Sequence, residues 1–196
     1  MTTPNKPAAA PIGAKAKLTL AAVVGPIAAI ALLTLTPAEE SGRKVDVQLA
    51  RDGTPTIRHI SGKQYLRVYL DAVGVPTACD GLTDRQKIRL GLSFTEAQCA
   101  TMLEAALIEH AVEVKRCTPA IFAPGTENQR VAAVLLTYNI GWPRWCKSTA
   151  DRLFDAGKFR AACDAFLPWN KAGGRVLRGL VARRDRERAI CLKGLR

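Results

Sequence analysis

Between Leu18 and Ala38 the chain carries no charged residue, and the run from Leu18 to Leu35 just reaches the roughly 18 to 20 residues that span a bilayer. Lys6, Lys15 and Lys17 precede it, and Glu39 and Glu40 follow. The positive-inside rule therefore sets the N-terminus in the cytoplasm and the remainder of the chain outside. The segment is rich in Ala, Thr and Gly, with Gly25-Pro26 at its middle, so a helix made of it is only marginally stable in lipid. Three fates are open to it: a permanent anchor, cleavage as a signal peptide near Ala29-Ile30-Ala31, or insertion followed by escape. Weak hydrophobicity favours the last. The expected layout is a basic tail over 1–17, a transmembrane signal-anchor helix over 18–38, a linker over 39–55 marked by Gly42, Gly53 and Pro55, and one domain over 56–196.

The net charge of +12 calls for a polyanionic partner, whether nucleic acid, acidic lipid or an anionic cell wall. A hydrophobic fraction of 48% excludes a disordered chain. The six cysteines contain no C-x-x-C pair, so neither a zinc knuckle nor a thioredoxin motif is written here. Behind an export segment they are expected as three disulfides in an oxidising compartment such as the periplasm. Of about fifteen connectivities, the one adopted is Cys79–Cys99, Cys117–Cys146 and Cys163–Cys191.

Helical signals dominate after Ser93. Thr95-Glu-Ala-Gln98 reads as a capping box ahead of Ala100, Leu103, Leu107, Ala111 and Val114 at helical spacing. Thr126-Glu-Asn-Gln129 reads as a second box, opening a helix that Gly141 ends. Ser148 opens a short helix that stops near Gly157, Pro168 closes the next, and a last helix runs from about Gly179 to Cys191. Between Tyr69 and Thr83, β-branched residues and glycines point to a small hairpin. The fold class is thus mainly α with a minor β element, preceded by one transmembrane helix.

Two passages resemble the phage-type lysozymes, glycoside hydrolase family 24, and among them the endolysins with a signal-arrest-release segment. The first is Tyr69-Leu-Asp71-Ala-Val-Gly-Val-Pro-Thr77-Ala-Cys79-Asp-Gly81-Leu-Thr83. The second runs from Tyr138-Asn-Ile-Gly141 through Ser148-Thr149, Gly157, Ala162-Cys163-Asp164 and Trp169-Asn-Lys-Ala-Gly-Gly174. It continues through Gly179-Leu180, Arg183-Arg184 and Glu187 to Cys191-Leu-Lys-Gly194. The resemblance implies a lysozyme-like α+β domain. It also implies hydrolysis of the bond between N-acetylmuramic acid and N-acetylglucosamine in peptidoglycan, leading to host lysis. Asp71 would activate water with help from Thr77, opposite a Glu acting as general acid, the arrangement of an inverting glycosidase. Arg183, Arg184 and Glu187 would be framework residues. The implied enzyme needs no cofactor or metal and is a monomer once released from the inner membrane into the periplasm.

The resemblance places the family's Glu at Ser61 or Gly62, where the chain reads Ile60-Ser-Gly-Lys-Gln-Tyr65 with no acid. General acid catalysis needs a protonated carboxyl at the leaving oxygen. Asp80, Glu104 and Glu109 are the alternatives. Asp71 working alone, or a lysozyme fold that only binds peptidoglycan while tethered to the membrane, are the others. A zinc amidase is excluded by the presence of only His59 and His110, and a thiol peptidase by the even cysteine count. The basic C-terminal stretch, from Arg175 and Arg178 through Arg188 to Lys193, lacks the interleaved aromatics of a nucleic-acid platform, so nucleic acid is not an expected partner.

Overall fold

The computed structural model describes residues 18–71, 74–83 and 87–195, and the basic tail lies outside them. Helix α1, Leu20–Val24, is capped by the Thr19 hydroxyl, which accepts from the Ala22 amide at 3.2 Å. Gly25, at φ +87°, and Pro26 break the chain there, and α2 runs Pro26–Ser41. Pro26 suits the first position of a helix but cannot continue one, so the segment expected to be a single membrane helix is two shorter ones. Among the described residues no helix is long and apolar enough to cross a membrane. Leu20, Val24, Ala28, Ala29, Leu32 and Leu33 are instead wholly buried in the main core.

The stretch expected as a linker also takes regular structure. It holds the end of α2, strand β1 (Lys44–Leu49) and a turn into β2 (Pro55–Ser61), the two strands pairing antiparallel. Alternation decides this: Val45, Val47, Leu49 and Ile57 turn towards the core, and Asp52-Gly53 makes the turn. The hairpin leans on the apolar segment so closely that a Cβ on Gly53 would lie 2.8 Å from the Thr19 hydroxyl.

Strands β3 (Tyr69–Leu70) and β4 (Pro76–Thr77) form the small hairpin read from sequence. Helix α3, Glu96–Cys117, opens with the full Thr95–Gln98 capping box. A 3₁₀ turn at Pro119–Phe122 leads to α4, Glu127–Ile140, which does end at Gly141. The second capping box does not form, because the Thr126 hydroxyl donates to the Ile121 and Ala123 carbonyls, both at 2.7 Å. Short helices follow: α5 (Trp142–Trp145), α6 (Thr149–Asp155, capped by Ser148) and α7 (Phe159–Asp164). The hairpin of β5 (Lys171–Ala172) and β6 (Arg175–Val176) precedes α8, Arg178–Leu192.

Two apolar clusters result. The larger gathers α1, α2 and α4 around Trp145, Phe154 and Phe166, and the smaller holds Val68, Ala78, Leu82 and Ile88 beneath the β3–β4 region. Helix α3 runs through both, giving Cys99 to the smaller and Leu103, Leu107, Ala111 and Val114 to the larger. The disulfides join Cys79–Cys99, Cys117–Cys146 and Cys163–Cys191, the pairing adopted from sequence. The first ties the loop after β4 to α3, and the third ties α7 to α8.

Candidate active site

Asp71 follows β3 directly. Its amide donates to the Val75 carbonyl at 3.0 Å, and its Oδ1 accepts from the Val75 amide at 2.8 Å. Thr77 is buried opposite Tyr69 in the β3–β4 register, and its hydroxyl donates to the same Val75 carbonyl at 3.0 Å. Asp71 and Thr77 are therefore fixed to one short turn. Beyond it the chain passes Cys79, which holds φ +54°, a conformation costly for a residue with a Cβ. The Cys99 disulfide and a 2.8 Å hydrogen bond from its amide to the Tyr65 carbonyl anchor it there.

No helix stands just ahead of Tyr69, where the acid was sought. The carboxyl at that place belongs to Glu40, near the end of α2. A Cβ added to Gly81 would lie 2.8 Å from Glu40 Oε2, so a side chain there would have to push the carboxyl aside, and the φ of +78° favours glycine besides. Glu40 Oε1 makes an ion pair at 2.7 Å with an Nη atom of Arg183 on α8. Tyr69 feels both acids: burial pushes its phenol up, and the charges of Tyr65, Asp71 and Glu40 push it further the same way.

The hairpin explains why the end of α2 is far from Gly62 in sequence and near it in space. Strands β1 and β2 leave and return to one point: a Cβ on Gly62 would sit 2.8 Å from the Gly42 carbonyl oxygen and 2.9 Å from the Arg43 Cα. The excursion closes on itself, so a residue just before Gly42 stands where one beside Gly62 was expected. The alternating runs either side of Asp52-Gly53 carried that hairpin signal. In the sequence itself Glu39 and Glu40 stand out only as the acidic flank of the apolar segment.

The other acids are placed differently. Asp80 is buried and takes Arg43 in a two-pronged bond, Nε to Oδ1 at 3.1 Å and an Nη to Oδ2 at 2.6 Å. The Ser41 hydroxyl adds a third contact to Oδ1 at 3.0 Å. Glu104 is buried on α3 and accepts from the Leu20 amide at 3.2 Å, meeting the positive end of α1. Both carboxyls are committed to holding the fold. Glu109 is exposed and lines a cleft of about 610 Å³ with Gly81, Leu82, Thr83, Ala106, His110 and Tyr138. His110 stands edge-on to Tyr138, its ring held towards the neutral form by burial, against the smaller opposite pull of Glu109.

Behind Glu40, Glu187 Oε1 accepts from Arg183 Nε at 3.0 Å and from Arg184 at 2.8 Å. Burial pushes the Glu187 carboxyl up to about 7 against the pull of Arg184 and Arg183. Arg186 pairs with Glu39 at 2.6 Å, so consecutive acids on α2 meet arginines three residues apart, one face of α8. Among the described residues no group of three or more His, Cys, Asp and Glu could hold a metal ion.

The chain is similar to several known proteins. The sequence model of the family described as Phage lysozyme matches residues 62–187, beginning downstream of Glu40. The chain is 37% identical to the SAR-endolysin of Enterobacteria phage P21 over 135 residues, which are 69% of this chain and 79% of that protein. It is 31% identical to the endolysin of Salmonella phage P22 over 151 residues, 74% of this chain and 99% of that one. In fold it matches the endolysin of Escherichia coli O157:H7 phage FAHEc1 with a TM-score of 0.64 at 24% identity, covering 84% of this chain and 92% of that one.

Proposed function

The chain belongs to the phage lysozyme family, and on that premise we propose that it is an endolysin whose general acid is Glu40. It hydrolyses the glycosidic bond between N-acetylmuramic acid and N-acetylglucosamine in peptidoglycan. Glu40 gives its proton to the leaving glycosidic oxygen, while Asp71, steadied with Thr77 by the Val75 turn, activates water on the opposite face of the sugar. The observation that carries this reading is the seat of the Glu40 carboxyl, against Gly81, four residues past Thr77 in the loop after β4, and against Arg183. Full-length protein acting on purified peptidoglycan tests it by release of reducing ends. Glu40→Gln and Asp71→Asn should each lower that rate by about 100-fold or more, the usual weight of a positioned proton donor or acceptor. Undiminished release by Glu40→Gln would overturn the assignment, and binding without any release by the unaltered protein would overturn the enzyme.

The apolar segment acts twice in this reading. Residues 18–38 first enter the inner membrane with the N-terminus in the cytoplasm, then leave it and fold as α1 and α2, completing the core and delivering Glu40. The flanking charges, the split at Gly25-Pro26 and the likeness to SAR-endolysins support the route. Fractionation before and after collapse of the membrane potential should move the protein from the membrane to the soluble periplasmic fraction. A chain that stays wholly in the membrane rules the release out.

A further inference from the structure

Helix α2 does not by itself fix where Glu40 points. Pro37 stands within its last turns and has no amide hydrogen, so the ladder loses a rung four residues from the helix end. What remains there is local: the Arg43 amide donates to the Pro37 carbonyl at 3.2 Å, and the Ser41 hydroxyl shares its one proton between that carbonyl, at 2.9 Å, and Asp80 Oδ1. Such an end frays unless side chains tie it to something rigid. On one side Glu39 and Glu40 pair with arginines of α8; on the other, two residues just after Glu40 are tied to a single carboxylate. Ser41 and Arg43 both bond to Asp80, whose neighbours in the loop are Gly81, against which Glu40 rests, and Cys79, cross-linked to α3. Asp80 is held from its other side as well, because the Tyr138 hydroxyl on α4 donates to its carbonyl at 2.9 Å. The charged groups around this cluster are Glu96, 3.9 Å from Arg43, and Arg183 and Glu187 behind Glu40.

We infer that Asp80 is a positioning residue for the reaction: its carboxylate latches the end of α2, through Ser41 and Arg43, onto the loop that receives Glu40. It neither touches the sugar nor moves a proton. Its effect is on geometry, and a displacement of about 1 Å in a reacting group costs on the order of 100-fold in rate. The inference rests on Glu40 being the general acid.

The test measures full-length protein on purified peptidoglycan, with the folded fraction of each variant followed by circular dichroism. Asp80→Asn keeps the shape of the side chain but not its charge, and should lower kcat by about 10- to 100-fold while KM stays within about twofold, the mark of an interaction felt in the transition state. Arg43→Lys keeps the charge but not the two-pronged contact, and should act in the same direction. In a Glu40→Gln background, Asp80→Asn should cost nothing more, because residues acting as a unit are not additive. The exposed Arg58–Asp46 pair of the hairpin supplies the control, and Asp46→Asn should leave the rate unchanged. An Asp80→Asn protein with unaltered kcat, or one whose activity falls only in step with its folded fraction, overturns the latch. If Asp80→Asn fails to fold, Arg43→Lys decides by the same criteria. Should Glu40→Gln retain the full rate, the assignment of the acid falls and the latch with it. A dead Glu40→Gln beside a fully active Asp80→Asn removes the latch alone.

Discussion

Helices α2 and α8 meet at the Glu40–Arg183 pair, and their sequences could hardly differ more. Helix α2 is uncharged until its last turn. Helix α8, Arg-Gly-Leu-Val-Ala-Arg-Arg-Asp-Arg-Glu-Arg-Ala-Ile-Cys-Leu, is nearly half charged. Both also bury residues of their own. Leu32 and Leu33 of the first are 0% exposed, and so are Arg184 and Glu187 of the second. The apolar helix gains from leaving water, in proportion to the area it hides. The charged helix can be buried only because its charges answer one another, with Glu187 between two guanidiniums and Arg184 reaching Asn139 Oδ1 at 3.1 Å. Average polarity therefore says little about burial at this junction, where the supply of partners decides it.

The contrast can be broken from either side. The larger effect should come from the charged helix: Glu187→Ala leaves two buried guanidiniums without their shared acceptor, and should lower the unfolding free energy in urea by about 4 kcal/mol at pH 8. A loss below about 1 kcal/mol would mean that water has taken the carboxylate's place. Leu32→Ala should cost about 3 kcal/mol through lost transfer energy and the cavity left in the main core, read as a lower urea midpoint of the released protein. An unmoved midpoint would place the segment outside the core of the soluble form.

Much of the domain could be read from sequence because its signals are local. Thr95 with Gln98, Ser148 and Gly141 mark helix ends that the structure keeps, and the Tyr69–Thr83 hairpin carried its own turn residues. Thr126 had the same motif and used its hydroxyl elsewhere, since the 3₁₀ turn before it offered two carbonyls. The segment 18–38 was harder, because lipid and protein core ask for the same apolar residues and only tertiary partners tell them apart. Glu40 was hardest. Its place against Gly81 depends on how a hairpin closes between Gly42 and Gly62, a long-range fact that no window of sequence contains.

Ala28 and Ala29 are fully enclosed in the core of the folded protein, where helices come close and a longer side chain would have to push its neighbours aside. On the proposed route the same two residues keep the segment's grip on the bilayer weak. Tighter anchoring by larger apolar residues at these positions would thus also spoil the packing that completes the enzyme. One pair of methyl groups is answerable to two solvents, and drift at either position is confined to the narrow set of residues that both will accept.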